Sequence, residues 1–138
     1  MEKIIALDIG EKRIGVAISD ALGFLAHPLK TLAWKNIEQL IADMGKLAEE
    51  HQTSTFVIGL PYTLRGGHSD KTEEIKAIAD ELKKHTGWTI IEVDERLTTV
   101  MAQKTLQNVG KKPSKHRDKI DQIAAVHILQ TYLDGHSK

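Results

Sequence analysis

The chain has 138 residues and contains no cysteine, which excludes disulfide scaffolds, thiolate zinc sites and cysteine nucleophiles. This length fits a single domain covering residues 1–138. Nineteen basic and nineteen acidic residues give a formal net charge of zero, so a surface for nucleic acid would have to be a local patch. No apolar run approaches the ~20 residues of a membrane span, and the N-terminus lacks the pattern of a signal peptide. We therefore expect a cytoplasmic protein that does not contact membranes.

The first third of the chain predicts three strands, at Lys3–Ile9, Arg13–Ser19 and Phe24–Leu32. The short link Gly10–Lys12 favours an antiparallel hairpin between the first two strands. Pro28 would confine the third strand to an edge of the sheet or to a bulge. The segment therefore predicts a three-stranded meander.

The rest of the chain alternates helices with short apolar strands. Asn36 is the expected N-cap of the first helix, and Gly87 is expected to close the second. The predicted elements after the meander are a helix from Ile37 to Ala48, a strand at Thr55–Leu60, a loop at Tyr62–Asp70, a helix around Ile75–Leu82, a strand at Thr89–Val93, a helix at Thr98–Val109, a basic loop at Lys111–Arg117 and a helix at Ile120–Leu133. This order predicts an α/β fold, with a mixed five-stranded sheet formed by the meander and two parallel crossover strands and flanked by helices.

Carboxylates lie where this fold would place a ligand site. Asp8 is near the end of the first strand, the neighbours Asp94 and Glu95 close the last strand, and Asp121 opens the final helix. Taken singly, each has a structural explanation, such as stabilisation of Asp121 by the helix dipole. Together they could converge on one sheet edge, and such a carboxylate set suits Mg²⁺ or Mn²⁺. Two such ions about 4 Å apart can activate water for phosphodiester hydrolysis.

Basic residues lie close to these acids in sequence. Residues 111–119 contain five of the nineteen basic residues and lead directly into Asp121. They could neutralise phosphates, although a solvated loop is the simpler interpretation of an isolated charge run. Arg96 could bind the cleaved phosphate or pair with its acidic neighbours, and Arg65 could also reach a phosphate. The candidate substrate-binding residues are Arg65, Arg96, Lys111, Lys112, Lys115 and Arg117.

Five motifs in order resemble the YqgF-type pre-16S rRNA nucleases, also called Holliday-junction-resolvase-like proteins. They are Asp8-Ile9-Gly10, Arg13–Asp20, Gly59-Leu60-Pro61, Asp94–Thr99, and Ile120-Asp121 followed by Ala124-Ala125 and Ile128-Leu129. The resemblance implies a ribonuclease H-like fold, a cytoplasmic location and metal-dependent hydrolysis of phosphodiester bonds during maturation of the 5′ end of 16S rRNA.

The resemblance also assigns catalytic and metal-binding roles. These roles fall on Asp8, Asp121 and one member of the Asp94/Glu95 pair, of which we favour Glu95 because it lies at the strand end. Related resolvases carry a glutamate after the fourth strand, where this chain has Gly59-Leu60-Pro61, so the expected site holds only three acids. The loop after Pro61 also departs from the asparagine-containing stretch that is common among relatives.

Other functions remain open at this stage. The segment from Asp8 to Asp20 also resembles the phosphate-binding hairpin of actin-like and sugar-kinase ATPases, but those proteins need two such domains. A non-catalytic RNA-binding or ribosome-assembly module and a Holliday-junction-type DNA resolvase are further alternatives. We expect precursor ribosomal RNA rather than branched DNA as substrate, with the ribosome as a candidate partner, and the sequence leaves the oligomeric state open.

Overall fold

The structure is a computed structural model that describes residues 2–61, 70–94 and 117–136, without the side chains of residues 117–120 and 136. No helix in these ranges is both long enough and apolar enough to span a membrane. The elements are β1 (Ile5–Ile9), β2 (Arg13–Ser19), β3 (Ala26–Ala33), α1 (Ile37–His51), β4 (Thr55–Leu60), α2 (Asp70–His85), β5 (Thr89–Asp94) and α3 (Arg117–His136).

The five strands form one mixed sheet in the order β3-β2-β1-β4-β5. Strands β1, β2 and β3 pair antiparallel, whereas β4 joins β1 and β5 joins β4 in parallel. This arrangement confirms the predicted meander with two crossover strands. The parallel strands β1, β4 and β5 therefore end at the same edge of the sheet, where Asp8 and Asp94 lie.

Helices cover both faces of the sheet, which we call the α1/α2 face and the α3 face. Alternate residues of β1 divide between the faces, with Ile5, Leu7 and Ile9 packed against α1 and α2 and Ala6 packed under α3. The α3 face carries small side chains, including Ala6, Ala17 and Val57. Because these side chains are short, α3 lies close to the sheet, mainly over β2, β3 and β1.

Several predicted boundaries need correction. Strand β3 begins at Ala26, because Phe24 and Leu25 belong to the preceding turn, where Asp20 accepts a hydrogen bond from the Phe24 backbone (2.9 Å). Helix α3 begins at Arg117, so Asp121 lies one turn inside the helix rather than at its start. The helix dipole therefore explains Asp121 less well than expected, because its effect is confined to the terminal turn. The loop at residues 62–69 and the predicted helix Thr98–Val109 lie outside the described residues.

Candidate active site at the end of strand β1

Asp8 lies on the α3 face, near the carboxyl end of β1. Its neighbour Ala6 packs under α3, and the alternation of the strand gives Asp8 the same face. Its side chain is half-buried, and its partner across the antiparallel ladder is Gly15 of β2. Paired residues point to the same side of a sheet, so Asp8 stands beside a position that carries no side chain.

The backbone of Asp121 occupies the space above Gly15. A Cβ atom built on Gly15 would lie 2.0 Å from the carbonyl oxygen of Asp121 and 2.3 Å from its carbonyl carbon. Any side chain at position 15 would therefore collide with α3. Glycine at this position allows α3 to approach the sheet and brings Asp121 next to Asp8, although 113 positions separate them in the sequence.

Arg13 holds the carboxylate of Asp121. The Arg13 Nε donates to Asp121 Oδ2 at 2.9 Å, and the Asp121 side chain is only 19% exposed. Arg13 is two residues before Gly15 on β2, so it shares the α3 face with Gly15 and Asp8. The ion pair fixes one oxygen of Asp121 and places a positive charge beside it, on the face that also carries Asp8. Arg13 was not among the predicted site residues, although strand alternation alone places Arg13 and Gly15 on one face.

Asp94 lies on the opposite face of the sheet. Its register partner in β4 is Leu60, which packs in the core beneath α1 and α2, whereas the preceding Val93 packs on the α3 side. Glu92, two residues earlier on the same face as Asp94, binds Lys83 of α2 at 2.6 Å. The structure therefore brings Asp8 and Asp121 together and leaves Asp94 on the other side.

The remaining predicted site residues have no described side chain. Arg117 is the first residue of α3, one helical turn before Asp121, but its side chain is not described. Within the described ranges, no group of three or more histidines and carboxylates is placed to hold a metal ion. The carboxylates of Asp8 and Asp121 still fit a hard cation, because Mg²⁺ commonly binds through one or two carboxylates and completes its shell with water and substrate. Glu95, Arg96, Arg65, Lys111, Lys112 and Lys115 lie outside the described residues.

Comparison with known proteins identifies the family. The model of the RuvX family, described as Holliday junction resolvase, matches residues 2–135. A relative from Chloroflexus aurantiacus is 46% identical over 132 residues, covering 96% of this chain and 86% of the relative, and is described as "Putative pre-16S rRNA nuclease". Relatives from Sulfurihydrogenibium sp. (44% over 136 residues, 97% and 91% coverage) and Acetivibrio thermocellus (38% over 138 residues, 99% and 98% coverage) have the same description.

Solved structures with low sequence identity share the fold. T. thermophilus RuvC in complex with a Holliday junction substrate superposes with a TM-score of 0.58 at 11% identity, over 98% of this chain and 95% of that one. Fowlpox virus resolvase gives a TM-score of 0.54 at 12% identity, over 99% of both chains. The fold is ribonuclease H-like, as the family resemblance implied. On the family model and these relatives, the chain belongs to the RuvX family.

Proposed function

We propose that this protein is a divalent-metal-dependent nuclease that hydrolyses phosphodiester bonds in precursor 16S rRNA. The observation that carries the proposal is the close approach of α3 to β2 at Gly15, which sets Asp121 beside Asp8 on one face of the sheet. The relatives described as pre-16S rRNA nucleases support the choice of substrate. This substrate would place the reaction in the cytoplasm, with the ribosome as a partner.

The proposed metal ligands are Asp8, Asp121 and Glu95. We choose Glu95 over Asp94 because Asp94 lies on the face away from the other two acids. A bound Mg²⁺ or Mn²⁺ would act as a Lewis acid toward the phosphate and lower the pKa of a water molecule. Asp8 and Asp121 would hold and orient the cation, and Arg13 would keep the Asp121 carboxylate in one orientation.

Substrate binding would rest on cations next to the acids. Arg117 lies one turn before Asp121, at the N-terminal end of α3, where the helix dipole also favours a phosphate. We propose that Arg117, Lys111, Lys112 and Lys115 contact the phosphate backbone beside the cleaved bond, and that Arg96 and Arg65 add further contacts. Because the net charge of the whole chain is zero, these local contacts would supply the attraction for RNA.

Isosteric replacement of the two acids tests the proposal. Asp8→Asn and Asp121→Asn should each abolish Mn²⁺- or Mg²⁺-dependent cleavage of a precursor RNA spanning the mature 5′ end, while most RNA affinity is retained. Asp80→Asn, which changes an exposed carboxylate on α2, is the matched control and should cut normally. Cleavage at the unaltered rate by both site variants would refute the proposed centre.

A DNA resolvase is the second candidate, because the family model is described as Holliday junction resolvase. A four-way DNA junction and the precursor RNA, offered together to one preparation, would separate the two activities. We expect faster cleavage of the RNA. If neither substrate is cut while RNA is still bound, the protein is the non-catalytic RNA-binding module.

A further inference from the structure

A cavity lies at the β1–β2 turn on the α1/α2 face of the sheet, opposite the face that carries Asp8 and Asp121. Its volume is about 520 Å³, within the range of small-ligand pockets. It opens between the β1–β2 turn, the indole of Trp34 and helix α2. Ile9, Ile75 and Ile78 supply apolar lining, and Glu11, Lys71 and Glu74 supply polar groups. No residue of this cavity belongs to the proposed metal centre.

The chemistry of the lining selects an uncharged, flat and partly polar ligand. Trp34 lines the cavity and packs in part against the core, and an indole is a side chain on which a nucleobase can stack. Two exposed carboxylates accompany one ammonium group, so the net charge of the lining is negative and disfavours a phosphate. Carboxylates instead accept hydrogen bonds from the amino groups of bases, as they do from cytosine N4. These features together fit a nucleobase.

The pocket is physically linked to the acids on the other face. Ile9 and Gly10, which line it, follow Asp8 directly in the chain. The Trp34 backbone N–H donates to the Lys12 carbonyl oxygen at 2.9 Å, which fixes Trp34 against the β1–β2 turn. The residue after Lys12 is Arg13, the first residue of β2, which holds Asp121. An RNA strand bound at both places would cross this turn, with a phosphate on one face and a neighbouring base on the other.

We infer that this cavity, which we call the Trp34 pocket, binds an unpaired base of the RNA substrate next to the cleaved bond. The inference rests on the proposed nuclease function and adds to it a preference for the strandedness and the base of the RNA next to the cleaved bond. A base must leave its stack and its pairing partner to enter the pocket, so single-stranded RNA binds and continuous duplex does not. Bases that carry an amino group are favoured over uracil, because that group can donate a hydrogen bond to the carboxylate of Glu11 or Glu74.

Tryptophan fluorescence gives a direct test in the presence of a chelator, which prevents cleavage. Trp34 and Trp88 are the two tryptophans of the chain, and Trp88 packs on Phe56 with ring centroids 5.1 Å apart. In a Trp88→Phe background the signal comes from Trp34 alone. A single-stranded octacytidylate should quench this signal strongly, octauridylate should bind more weakly, and a duplex RNA of equal length should leave the signal unchanged.

Variants of the intact protein separate stacking from general RNA affinity. Trp34→Leu should weaken octacytidylate binding about tenfold, as expected for the loss of one stacked base, while Trp34→Phe retains most of the affinity. Leu22→Ala, which trims a 69%-exposed side chain in the turn between β2 and β3, is the control and should bind normally. In cleavage assays, Trp34→Leu should raise KM and leave kcat nearly unchanged.

Two results would overturn the inference. If octacytidylate binds to saturation, as measured by filter retention, with no change in Trp34 fluorescence, the pocket is not a base site. If Trp34→Leu lowers kcat at unchanged KM, Trp34 supports the turn rather than the substrate. Either result leaves the proposed function intact, because that proposal fails only through the Asp8→Asn and Asp121→Asn variants.

Discussion

Replacing Gly15 with alanine would place a methyl group where the backbone of Asp121 lies. The added Cβ would be 2.0 Å from the Asp121 carbonyl oxygen and 3.0 Å from its Cα, whereas ordinary contacts begin at 3.4 Å. Both sides of this contact are backbone, one in a central strand and one in a helix, so no flexible side chain can move aside. Relief requires α3 to shift away from the sheet.

The cost of that shift follows from what α3 buries. The side of α3 that faces the sheet carries three fully buried residues, Ala125, Ile128 and Leu129. A shift of the helix would weaken their packing against Ala6 and Ala17. Overpacking of this kind costs about 1–3 kcal/mol in unfolding free energy. The better strand propensity of alanine offsets less than about 1 kcal/mol of it. We therefore expect a net destabilisation of about 1–2 kcal/mol, together with displacement of Asp121 from Arg13.

Urea unfolding followed by circular dichroism measures this effect. At a slope of about 2 kcal/mol per molar urea, Gly15→Ala should lower the midpoint by roughly 0.5–1 M. Gly87→Ala is the matched control, because a Cβ at Gly87 meets nothing within 4 Å and the midpoint should not fall. RNA cleavage by Gly15→Ala should fall as well. A variant with the normal midpoint and the normal cleavage rate would show that α3 does not depend on this close approach.

The remaining predictions concern Arg13, Asn36 and His127. Arg13→Gln removes the guanidinium that lies 2.9 Å from the Asp121 carboxylate. Because this positive charge then no longer repels the metal ion, Mn²⁺ should bind several-fold more tightly in calorimetry. Weaker binding would mean that orientation of the carboxylate matters more than charge. Asn36→Ala removes the N-cap bond to the Gln39 N–H (2.8 Å) and should cost about 1 kcal/mol in urea unfolding, and an unchanged midpoint would contradict this. Burial lowers the pKa of His127 below its ordinary value of 6.5, so the unfolded chain takes up a proton more readily. The stability that neutral His127 contributes is therefore present above pH 6.5 and is lost as the pH falls from 6.5 toward the folded-state pKa. His127→Gln should flatten the thermal-stability profile in this pH range.

Some strand boundaries follow from local signals. Strand β4 was predicted with its observed bounds, because an apolar run ends at Pro61, and β2 was predicted with its observed bounds after the glycine-containing link. The start of β3 was wrong because Phe24 and Leu25 are apolar and extend the strand pattern. Their backbone is instead held in the turn by Asp20, which accepts from Phe24 and donates its own N–H to the Leu25 carbonyl.

The candidate site shows the same division between local and tertiary information. Asp8 and Asp121 were selected because acids at strand and helix ends are chemically suggestive, and their role as metal ligands, like that of Glu95, stays a prediction. The face of Asp94 could be decided only by the register of β5 on β4, which pairs it with Leu60. The role of Arg13 depends on the helix above it, where its partner Asp121 lies 108 residues away in sequence.

By itself, the sequence determined the order of the described strands and helices, the sheet they form and the family of the protein, because periodicity, turn residues and motifs act over short distances along the chain. Tertiary structure decided the faces of the sheet on which Asp8, Asp121 and Asp94 lie. That outcome depends on how closely α3 can lie on the sheet, and a glycine opposite Asp8 leaves room for the backbone of Asp121. Such a fit between distant segments is a property of packing, and no local pattern encodes it.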